Sequence, residues 1–318
     1  MIEKSHLGNA MTVRFGVVGA SHWARTVHAR TLSDLPGAHL VGVWSRTAAH
    51  ATEIAQELNV TAFETFEEML DAVDVVSIAV SPQAQASLAL KAAAAGKSLL
   101  LEKPMAPDVV GANAVAQAIR DAGVSSIVFF MRRFVQEIED VISAAAARKW
   151  TNARVAIHSN AMSSESPYAS SIWRQQPHSE LWDIGPHVLS VLLPVLGPAT
   201  SVSAEFDDRH SLLTTTHAGG ATSHISLSLR ATADEIIREY RFSGDDGEIV
   251  LPEPSFSPHD AFARAALDLI EMHSTGTLTH NCDAAFGLEV SRLLAGGERS
   301  ALNGGIAVKL DHGKALSP

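Results

Sequence analysis

Three separated segments of the sequence carry the residue types that a hydride-transfer site needs. The first, residues 16–24, is a short apolar stretch that runs into a glycine turn. The second is Glu-Lys-Pro at 102–104, and the third is Asp-Ile-Gly-Pro-His at 183–187. A turn that opens a helix can hold a dinucleotide pyrophosphate, a lysine can stabilise a developing alkoxide, and a histidine can exchange a hydroxyl proton. Each motif is weak alone, but their order and spacing favour a single nicotinamide site.

Lys103, Asp183 and His187 are the candidate catalytic residues. Lys103 follows a predicted strand, and ligands of open parallel sheets bind at the carboxyl ends of the strands. Asp183 and His187 are four residues apart, which puts both on one face of the segment if it is helical. Because the pKa of histidine is close to neutral, His187 is expected to exchange the substrate proton. The alternative stays open that Lys103 faces water and that Asp183 caps a helix with a surface histidine.

The turn after the first predicted strand is an imperfect dinucleotide fingerprint. With Gly19 as the first glycine of G-x-G-x-x-G/A, the second position is Ser21 and the third is Ala24. Ser21 reduces the room for the pyrophosphate but adds a hydroxyl donor, and Ala24 is acceptable where helix and strand pack closely. His22 and Trp23 complete the turn and are also expected to contact the cofactor. The motif alone also fits an ordinary strand-to-helix turn, and the surrounding strands favour the phosphate site.

The position expected to contact the adenosine ribose has no acidic residue. About 20 residues beyond the turn, an Asp or Glu would accept a hydrogen bond from the 2′-hydroxyl and repel a 2′-phosphate. This chain has Ser45 and Arg46 there. A guanidinium can bind a phosphate through two parallel hydrogen bonds, so NADP(H) is favoured and NAD(H) remains possible. The alternative is a solvated arginine on a loop.

The first half of the chain alternates strands and helices with short connections. This pattern predicts an α/β fold with a doubly wound parallel sheet. Strands are expected at 13–18, 39–44, 73–80, 98–101 and 125–130, and helices at 22–32, 47–58, 64–70, 83–95 and 107–121. The whole predicts a full N-terminal dinucleotide-binding (Rossmann) unit.

The second half predicts an α/β domain with an open, mostly antiparallel sheet. A strand is expected at 153–160, a long polar loop at 163–179, and alternating strands at 201–206, 212–217, 224–230, 235–242 and 248–251. Helices are expected at 135–148, 186–193, 260–273 and 284–294. The domains are expected to cover residues 11–131, for dinucleotide binding, and 132–318, for substrate binding and oligomerisation.

Composition excludes several classes of function. A formal net charge of -11 argues against nucleic acid or an anionic membrane as a partner. The single Cys282 excludes an internal disulfide framework and suits a reducing cytoplasm, where we expect the protein to reside. No apolar run is long enough for a membrane span, and residues 1–10, expected to be a loose tail, have no signal-peptide core. The histidines match no metal-binding spacing, so no metal is expected.

Further landmarks link these motifs. Ser81-Pro82 follows the predicted strand at 73–80, and 95–97 (Ala-Gly-Lys) leads into 102–106, Glu-Lys-Pro-Met-Ala. With residues 183–187, these segments resemble the glucose–fructose oxidoreductase / inositol dehydrogenase (Gfo/Idh/MocA) family, from Arg14 to about Leu310. The resemblance implies a Rossmann domain followed by an α/β domain whose open antiparallel sheet often serves oligomerisation.

The resemblance also implies roles for individual residues. Lys103 would lie beside the nicotinamide and the substrate, His187 would be the proton donor or acceptor, and Asp183 would orient the substrate. Ser81, Pro82 and Glu102 would belong to the cofactor site. The expected reaction interconverts a secondary alcohol and a ketone on a sugar, cyclitol or polyol-like small molecule. Two alternatives stay open: a non-catalytic NAD(P)-binding sensor or regulatory protein, and a hydrolase or lyase that uses the nicotinamide transiently.

Some positions depart from the family pattern. Residues 177–182, before Asp183, lack the usual glycine-rich run, and the usual histidine after Pro82 is replaced by a stretch reading Gln-Ala-Gln at 83–85. Such positions line the pocket in relatives, so the substrate is left open. Candidate substrate residues at the domain junction and in the long loop are Arg133, Trp173 and Arg174, with Arg132 and Tyr168 as further pocket candidates.

Assembly is expected through the predicted antiparallel sheet. One face would carry Thr214, Thr216, Ser226 and Ser228, and it could pair flat against a second copy. A solvated face is the alternative that the sequence pattern alone favours. The family resemblance shifts the expectation to a homodimer or homotetramer.

Overall fold

The computed structural model describes residues 12–310. The expectation of a loose tail at 1–10 therefore lies outside the described residues. The first sheet contains only parallel strands, in the order β3-β2-β1-β4-β5-β6. Its strands are β1 (Val13–Val18), β2 (Ala38–Trp44), β3 (Thr61–Ala62), β4 (Val75–Ile78), β5 (Ser98–Leu101) and β6 (Ser126–Val128). The prediction of a doubly wound parallel Rossmann sheet is confirmed.

The connections of this sheet are helical. A helical segment starts at residue 22, contains one stretch of π-helix (Ala24–Ala29) and continues as α1 (Arg30–Asp34). The other helices are α2 (Ala48–Leu58), α3 (Phe66–Ala72), α4 (Pro82–Ala94) and α5 (Val109–Ala122). The strand order reverses between β1 and β4, and this reversal opens a crevice at their carboxyl ends.

How deeply a strand of this sheet is buried decides whether its position can be recognised from the sequence. Every residue of β4 and β5 is buried, as expected for parallel strands covered on both faces. These strands therefore read as continuous apolar runs. β3 is only two residues long and neither residue is fully buried, so it has no pattern to detect.

The second sheet is mixed and mostly antiparallel, in the order β12-β11-β7-β10-β9-β8-β13. Its strands are β7 (Asn152–His158), β8 (Ala199–Phe206), β9 (Ser211–His217), β10 (Thr222–Ser228), β11 (Ile237–Gly244), β12 (Gly247–Val250) and β13 (Val308–Lys309). The predicted open antiparallel sheet is confirmed except for one pair, because β7 and β10 run parallel. The chain leaves the sheet after β7 through helices, so no hairpin sets the relative direction of these two strands.

The remaining helices are α6 (Gln136–Ala146), α7 (Ser179–Asp183), α8 (Gly185–Leu196), α9 (Pro258–Thr275) and α10 (Ala284–Leu302). α10 packs against β8 of the second sheet and also against α5, while α9 contacts α1, β5 and β6. Because these two C-terminal helices contact the N-terminal sheet, the division of the chain between residues 131 and 132 stays a prediction.

On the face of the second sheet opposite α10, no helix of residues 12–310 covers the central strands. His224 and Thr216 are exposed there, while Thr214 and Ser226 are half-buried. Ser228 was expected on the same face, but it is fully buried and its hydroxyl accepts the N–H of Arg230 at 3.2 Å. The strand ends at Ser228, so the alternation of faces does not extend through it.

Candidate active site

A cavity of about 530 Å³ lies at the crevice of the first sheet. It is walled by residues that follow β1, β4 and β5, by the segment after β7, and by the start of α8. The predicted site residues that line it are Ser21, His22, Trp23, Ser81, Pro82, Glu102, Lys103, Trp173, Arg174, Asp183 and His187. Gly19, Ala24, Ser45, Arg46 and Arg133 are not among the lining residues.

Gly19 shapes the turn without touching the cavity. Its φ is +122°, a conformation that favours glycine, and its N–H donates to the carbonyl of Trp44 at 2.9 Å. A Cβ on Gly19 would lie only 2.3 Å from the carbonyl oxygen of Ala79. Beyond it, the hydroxyl of Ser21 accepts the N–H of Ala24 at 3.3 Å and so caps the helix start. The remaining N–H groups of the first helical turn have no partner within the helix and suit an anion.

Replacing Gly19 with alanine is expected to destabilise the fold and weaken dinucleotide binding. The new Cβ must push β1 away from Ala79, in addition to the roughly 1–2 kcal/mol that a side chain costs at positive φ. Gly96→Ala is the matched control, because Gly96 also has positive φ (+71°) but has nothing within 4 Å of an added Cβ. Thermal unfolding and cofactor titration check this. Equal losses in the two variants would show that the close approach at Gly19 is unimportant.

Lys103 and Asp183 meet in the cavity. The ammonium of Lys103 donates to Asp183 Oδ1 at 2.7 Å and to the Asp183 carbonyl at 2.8 Å. Arg174 donates to the same carboxylate, through Nε to Oδ2 at 2.7 Å and through Nη2 to Oδ1 at 3.2 Å. Burial alone would raise the pKa of Asp183, but the charges of Lys103 and Arg174 hold this pKa well below its usual value. Asp183 is therefore ionised, and both of its oxygens are occupied by cations.

His187 lies at the beginning of α8, one short break after Asp183 at the end of α7. Its ring lines the cavity, while its Nδ1 is buried without a hydrogen-bond partner among the described residues. Burial lowers the pKa of His187 well below the ordinary histidine value, and the charge of Lys103 lowers it further. The imidazole is thus neutral at neutral pH and can accept a proton.

The long loop supplies an aromatic clamp around Arg174. The guanidinium carbon lies 4.8 Å from the ring centroid of Tyr168 and 4.5 Å from that of Trp173. Such contacts fix a guanidinium that also binds a carboxylate. Both predicted residues, Trp173 and Arg174, thus lie in the cavity wall, although packing within the loop explains part of their position.

Arg133 is not brought to the cavity. Its guanidinium is buried and binds both carboxylate oxygens of Glu139, at 2.7 and 2.9 Å, and the carbonyl of Ser190 at 3.0 Å. Arg132 and Arg133 lie in a 3₁₀-helix (Met131–Phe134), in which successive side chains point about 120° apart. Sequence adjacency therefore gave no basis for choosing between them, and Arg133 has a structural role here.

Two further polar residues, Arg132 and Tyr240, lie beside each other. The sequence suggested Arg132 only as a further pocket candidate, and it did not suggest Tyr240. Arg132 binds Glu253 at 2.6 Å, yet its Nη1 and the Tyr240 hydroxyl are buried without a partner among the described residues. The Arg132 guanidinium lies 5.4 Å from the Tyr240 ring, and its charge also lowers the pKa of His187. Tyr240 alternates with half-buried polar neighbours in β11, and its sequence pattern is that of an ordinary core residue.

The ribose position lies at the surface, at the end of β2. The hydroxyl of Ser45 accepts the N–H of Thr47 at 3.2 Å, and the Arg46 side chain is exposed.

A second missed residue is Gln85, which stands in the stretch that replaces the family's usual histidine. It is buried, accepts the N–H of Glu102 at 2.9 Å, and donates to the carbonyls of Glu102, Pro104 and Met105 at 2.7, 3.0 and 3.2 Å. Gln85 thereby fixes the backbone on both sides of Lys103.

Residues 12–310 contain neither a metal-binding cluster nor a membrane-spanning helix. No group of three or more histidine, cysteine, aspartate or glutamate side chains within this range is arranged to hold a metal ion. No helix within it is long and apolar enough to cross a membrane.

Comparison with known proteins identifies relatives of the N-terminal half and structures with the same fold. Residues 13–130 match the model of an oxidoreductase family with an NAD-binding Rossmann fold. Over 111 residues the chain is 32% identical to scyllo-inositol 2-dehydrogenase (NAD(+)) of Bacillus subtilis, covering 34% of this chain and 32% of that protein. Over 103 residues it is 35% identical to UDP-N-acetylglucosamine 3-dehydrogenase of Acidithiobacillus ferrooxidans, covering 32% of each. The matched segments thus span about a third of these relatives.

Solved structures resemble nearly the whole chain. GenD2 from gentamicin A biosynthesis, in complex with NAD, gives a TM-score of 0.83 at 19% identity and covers 98% of this chain and 99% of that one. At this level of identity the likeness concerns the fold alone. The Rossmann match, the inositol and sugar dehydrogenase relatives, and the shared two-sheet fold agree with the resemblance of the motifs. Residues 13–130 therefore match the Rossmann domain of the Gfo/Idh/MocA family of oxidoreductases.

Proposed function

We propose that this protein is an NAD(P)-dependent oxidoreductase that transfers a hydride between the nicotinamide and a secondary alcohol or ketone of a sugar, cyclitol or polyol-like substrate. One observation carries the proposal: Lys103, Asp183 and His187, which are distant in sequence, line one cavity at the carboxyl edge of the Rossmann sheet. That edge is where open parallel sheets bind dinucleotides.

The residues present fit a nicotinamide dinucleotide. The close approach of Gly19 to Ala79 leaves no room for a side chain at the turn, and the following helix start offers free N–H groups to a pyrophosphate. Residues 21–23, together with Ser81 and Pro82, would hold the cofactor, and Glu102 and Lys103 would border it. The bound cofactor would supply the hydride acceptor in oxidation or the donor in reduction.

The protein's own groups would handle the proton and the charge. Neutral His187 would accept the hydroxyl proton during oxidation, and the ammonium of Lys103 would stabilise the developing alkoxide. Asp183, with both oxygens bound by cations, would act by fixing Lys103 and Arg174. In this proposal Asp183 would orient the substrate indirectly, through these two cations.

The lining of the cavity supports a polyol-like substrate. Hydroxyl side chains of Ser159, Tyr168, Ser170 and Ser171 border it, together with the ring of Trp173. Hydroxyl and aromatic groups together suit a molecule that presents both hydroxyls and a carbon ring. The relatives are named for inositol, UDP-N-acetylglucosamine and glucose-6-phosphate. A panel of cyclitols, sugars and sugar acids, assayed with either cofactor by the absorbance of reduced nicotinamide, tests the proposal.

We further propose that NADP(H) is preferred, although scyllo-inositol 2-dehydrogenase (NAD(+)) and the GenD2 complex are named with NAD. Arg46 is exposed at the ribose position without an acidic neighbour, so Arg46→Ala should weaken NADPH binding roughly tenfold or more and leave NADH binding nearly unchanged. Arg120→Ala, at another exposed arginine, is the control. Fluorescence titration measures the affinities of the unaltered protein and of both variants for NADH and for NADPH, six in all. Equal affinity of the unaltered protein for NADH and NADPH would contradict the preference.

Assembly through the open face of the second sheet is part of the proposal, as is a cytoplasmic location. Thr214, Thr216, His224 and Ser226 provide a flat face of small and polar groups that suits a two-fold contact. Light scattering should give a mass two or four times the monomer mass of 33.7 kDa, and Thr216→Arg should shift the mass toward that of the monomer. A monomeric mass for the unaltered protein at micromolar concentration would contradict this arrangement.

A further inference from the structure

The carboxylate of Glu102, the residue before Lys103, is held by groups from three parts of the chain. Its Oε1 accepts the indole N–H of Trp23 at 2.7 Å and faces Nε2 of His28 at 3.1 Å. Its Oε2 accepts the backbone N–H of Lys103 at 3.2 Å. Glu102 therefore connects the cofactor turn, the helix that follows it, and the backbone of the candidate catalytic lysine.

His28 is the hidden member of this cluster. It is fully buried in the π-helical stretch that follows the cofactor turn, and its ring lies 4.3 Å from that of Phe262. Its Nδ1 lies 2.8 Å from the hydroxyl of Ser77 in β4. An ionised carboxylate can only accept hydrogen bonds, so Nε2 must carry a proton toward Glu102. The Ser77 hydroxyl can accept a hydrogen bond from Nδ1 or donate one to it, so it satisfies the ring in either protonation state, while Glu102 requires the proton on Nε2.

The cluster keeps Glu102 charged although its side chain is only 14% exposed. Burial would raise the pKa of Glu102, but the hydrogen bond and charge of His28, together with Lys103 and Trp23, hold this pKa below its usual value. Each missing donor would leave a buried carboxylate lone pair unpaired, which is costly and pulls the group toward a new position. Neither His28 nor Ser77 lines the cavity, so neither is explained by contact with a ligand.

We propose that His28 is a positioning residue. Together with Ser77 it holds the Glu102 carboxylate, and this carboxylate fixes the backbone of Lys103 relative to the indole of Trp23. This inference rests on the proposed function, since Lys103 and Trp23 border the proposed cofactor and substrate site. Gln85 fixes the same loop from its other side through the backbone of Glu102, Pro104 and Met105. Displacement of a catalytic group by about 1 Å can lower the rate about a hundredfold, so contacts that fix the position of Lys103 have a large effect on the rate.

Two substitutions at His28 separate a positioning role from simple packing. His28→Leu removes the donor to Glu102, whereas His28→Gln keeps an amide N–H at about the same distance from the backbone. His217→Leu is the matched control, because His217 is buried and hydrogen-bonded in the second sheet, away from the cavity. Ser77→Ala tests the far end of the cluster should His28→Leu fail to fold.

The main readout needs neither cofactor nor substrate. In the cofactor-free protein, the rate at which an amine-reactive reagent labels Lys103 is measured by mass spectrometry, with exposed Lys91 as the internal reference. We expect labelling of Lys103 to rise about tenfold in His28→Leu, as a lost hydrogen bond to a charged group would allow, to rise less in Ser77→Ala, and to stay near the original rate in His28→Gln and His217→Leu. On a verified substrate, kcat should follow the same order with the cofactor Kd nearly constant.

The outcomes are distinguishable. If Lys103 labelling in His28→Leu and Ser77→Ala matched that in His217→Leu, or if His28→Gln behaved like His28→Leu, the positioning role would be overturned. If the labelling pattern held but the unaltered protein turned over no substrate with either cofactor, the bracing of Lys103 would stand and the proposed dehydrogenase function would fail.

Discussion

Lys103→Met is expected to fold and to bind the dinucleotide, yet to lose turnover by about two to three orders of magnitude. The substitution keeps most of the length of the side chain and removes the ammonium that would stabilise the alkoxide, a contribution of about 2.7–4 kcal/mol in comparable sites. Asp183 keeps its two hydrogen bonds to Arg174, so its buried charge stays partly paired. Because the contact is made mainly in the transition state, kcat should fall far more than cofactor affinity.

Lys91→Met is the control for this variant. Lys91 forms an exposed pair with Glu67, and such surface pairs contribute little to stability. Steady-state kinetics on a verified substrate and a cofactor titration are measured side by side for both variants. Near-full turnover by Lys103→Met would remove Lys103 from the reaction.

His187→Asn is expected to lower the rate of alcohol oxidation by about two to four orders of magnitude and to remove one limb of its pH profile. The pKa of His187 is well below the ordinary histidine value, so at neutral pH the imidazole is neutral and has a free lone pair for a proton. As the pH falls through this lowered pKa, His187 becomes protonated and the base is lost. In the unaltered protein, the oxidation rate should therefore fall only on the acidic side of the usual histidine range.

The matched control is His50→Asn, at an exposed histidine of α2. The rate is measured against pH for the unaltered protein and both variants, with the cofactor saturating throughout. An unchanged acidic limb in His187→Asn would mean that another group accepts the proton.

Much of the fold followed from patterns that act within a few residues. The apolar runs of β4 and β5 can only be satisfied between two covered layers, and the alternation in β9 and β10 suits a sheet with one face buried. The site motifs were also readable, because each combines a chemical group with a strand end or a helix start. The cavity brings together Lys103, Asp183 and His187 as these motifs predict.

What the sequence did not show depends on contacts between distant segments. The carbonyl of Ser190 in α8, 57 residues from Arg133, helps to hold its guanidinium away from the cavity, and the contact with Glu139, six residues on, follows no pattern that the sequence alone shows. The parallel pairing of β7 and β10 arises after a crossover through helices rather than from a hairpin. His28 and Gln85 meet Glu102 across 74 and 17 residues of sequence, and neither belongs to a motif that a local reading would single out.

The most direct test of the central claim is the stoichiometry of turnover. A substrate found in the polyol and sugar panel is incubated with the unaltered protein and oxidised cofactor, and both the ketone product and the reduced nicotinamide are quantified. The proposed function predicts that they form in equal amounts and that Lys103→Met nearly abolishes both. Product without net reduced cofactor would indicate a transient use of the nicotinamide, and cofactor binding without turnover across the panel would indicate a sensor; either result would contradict the assignment as a dehydrogenase.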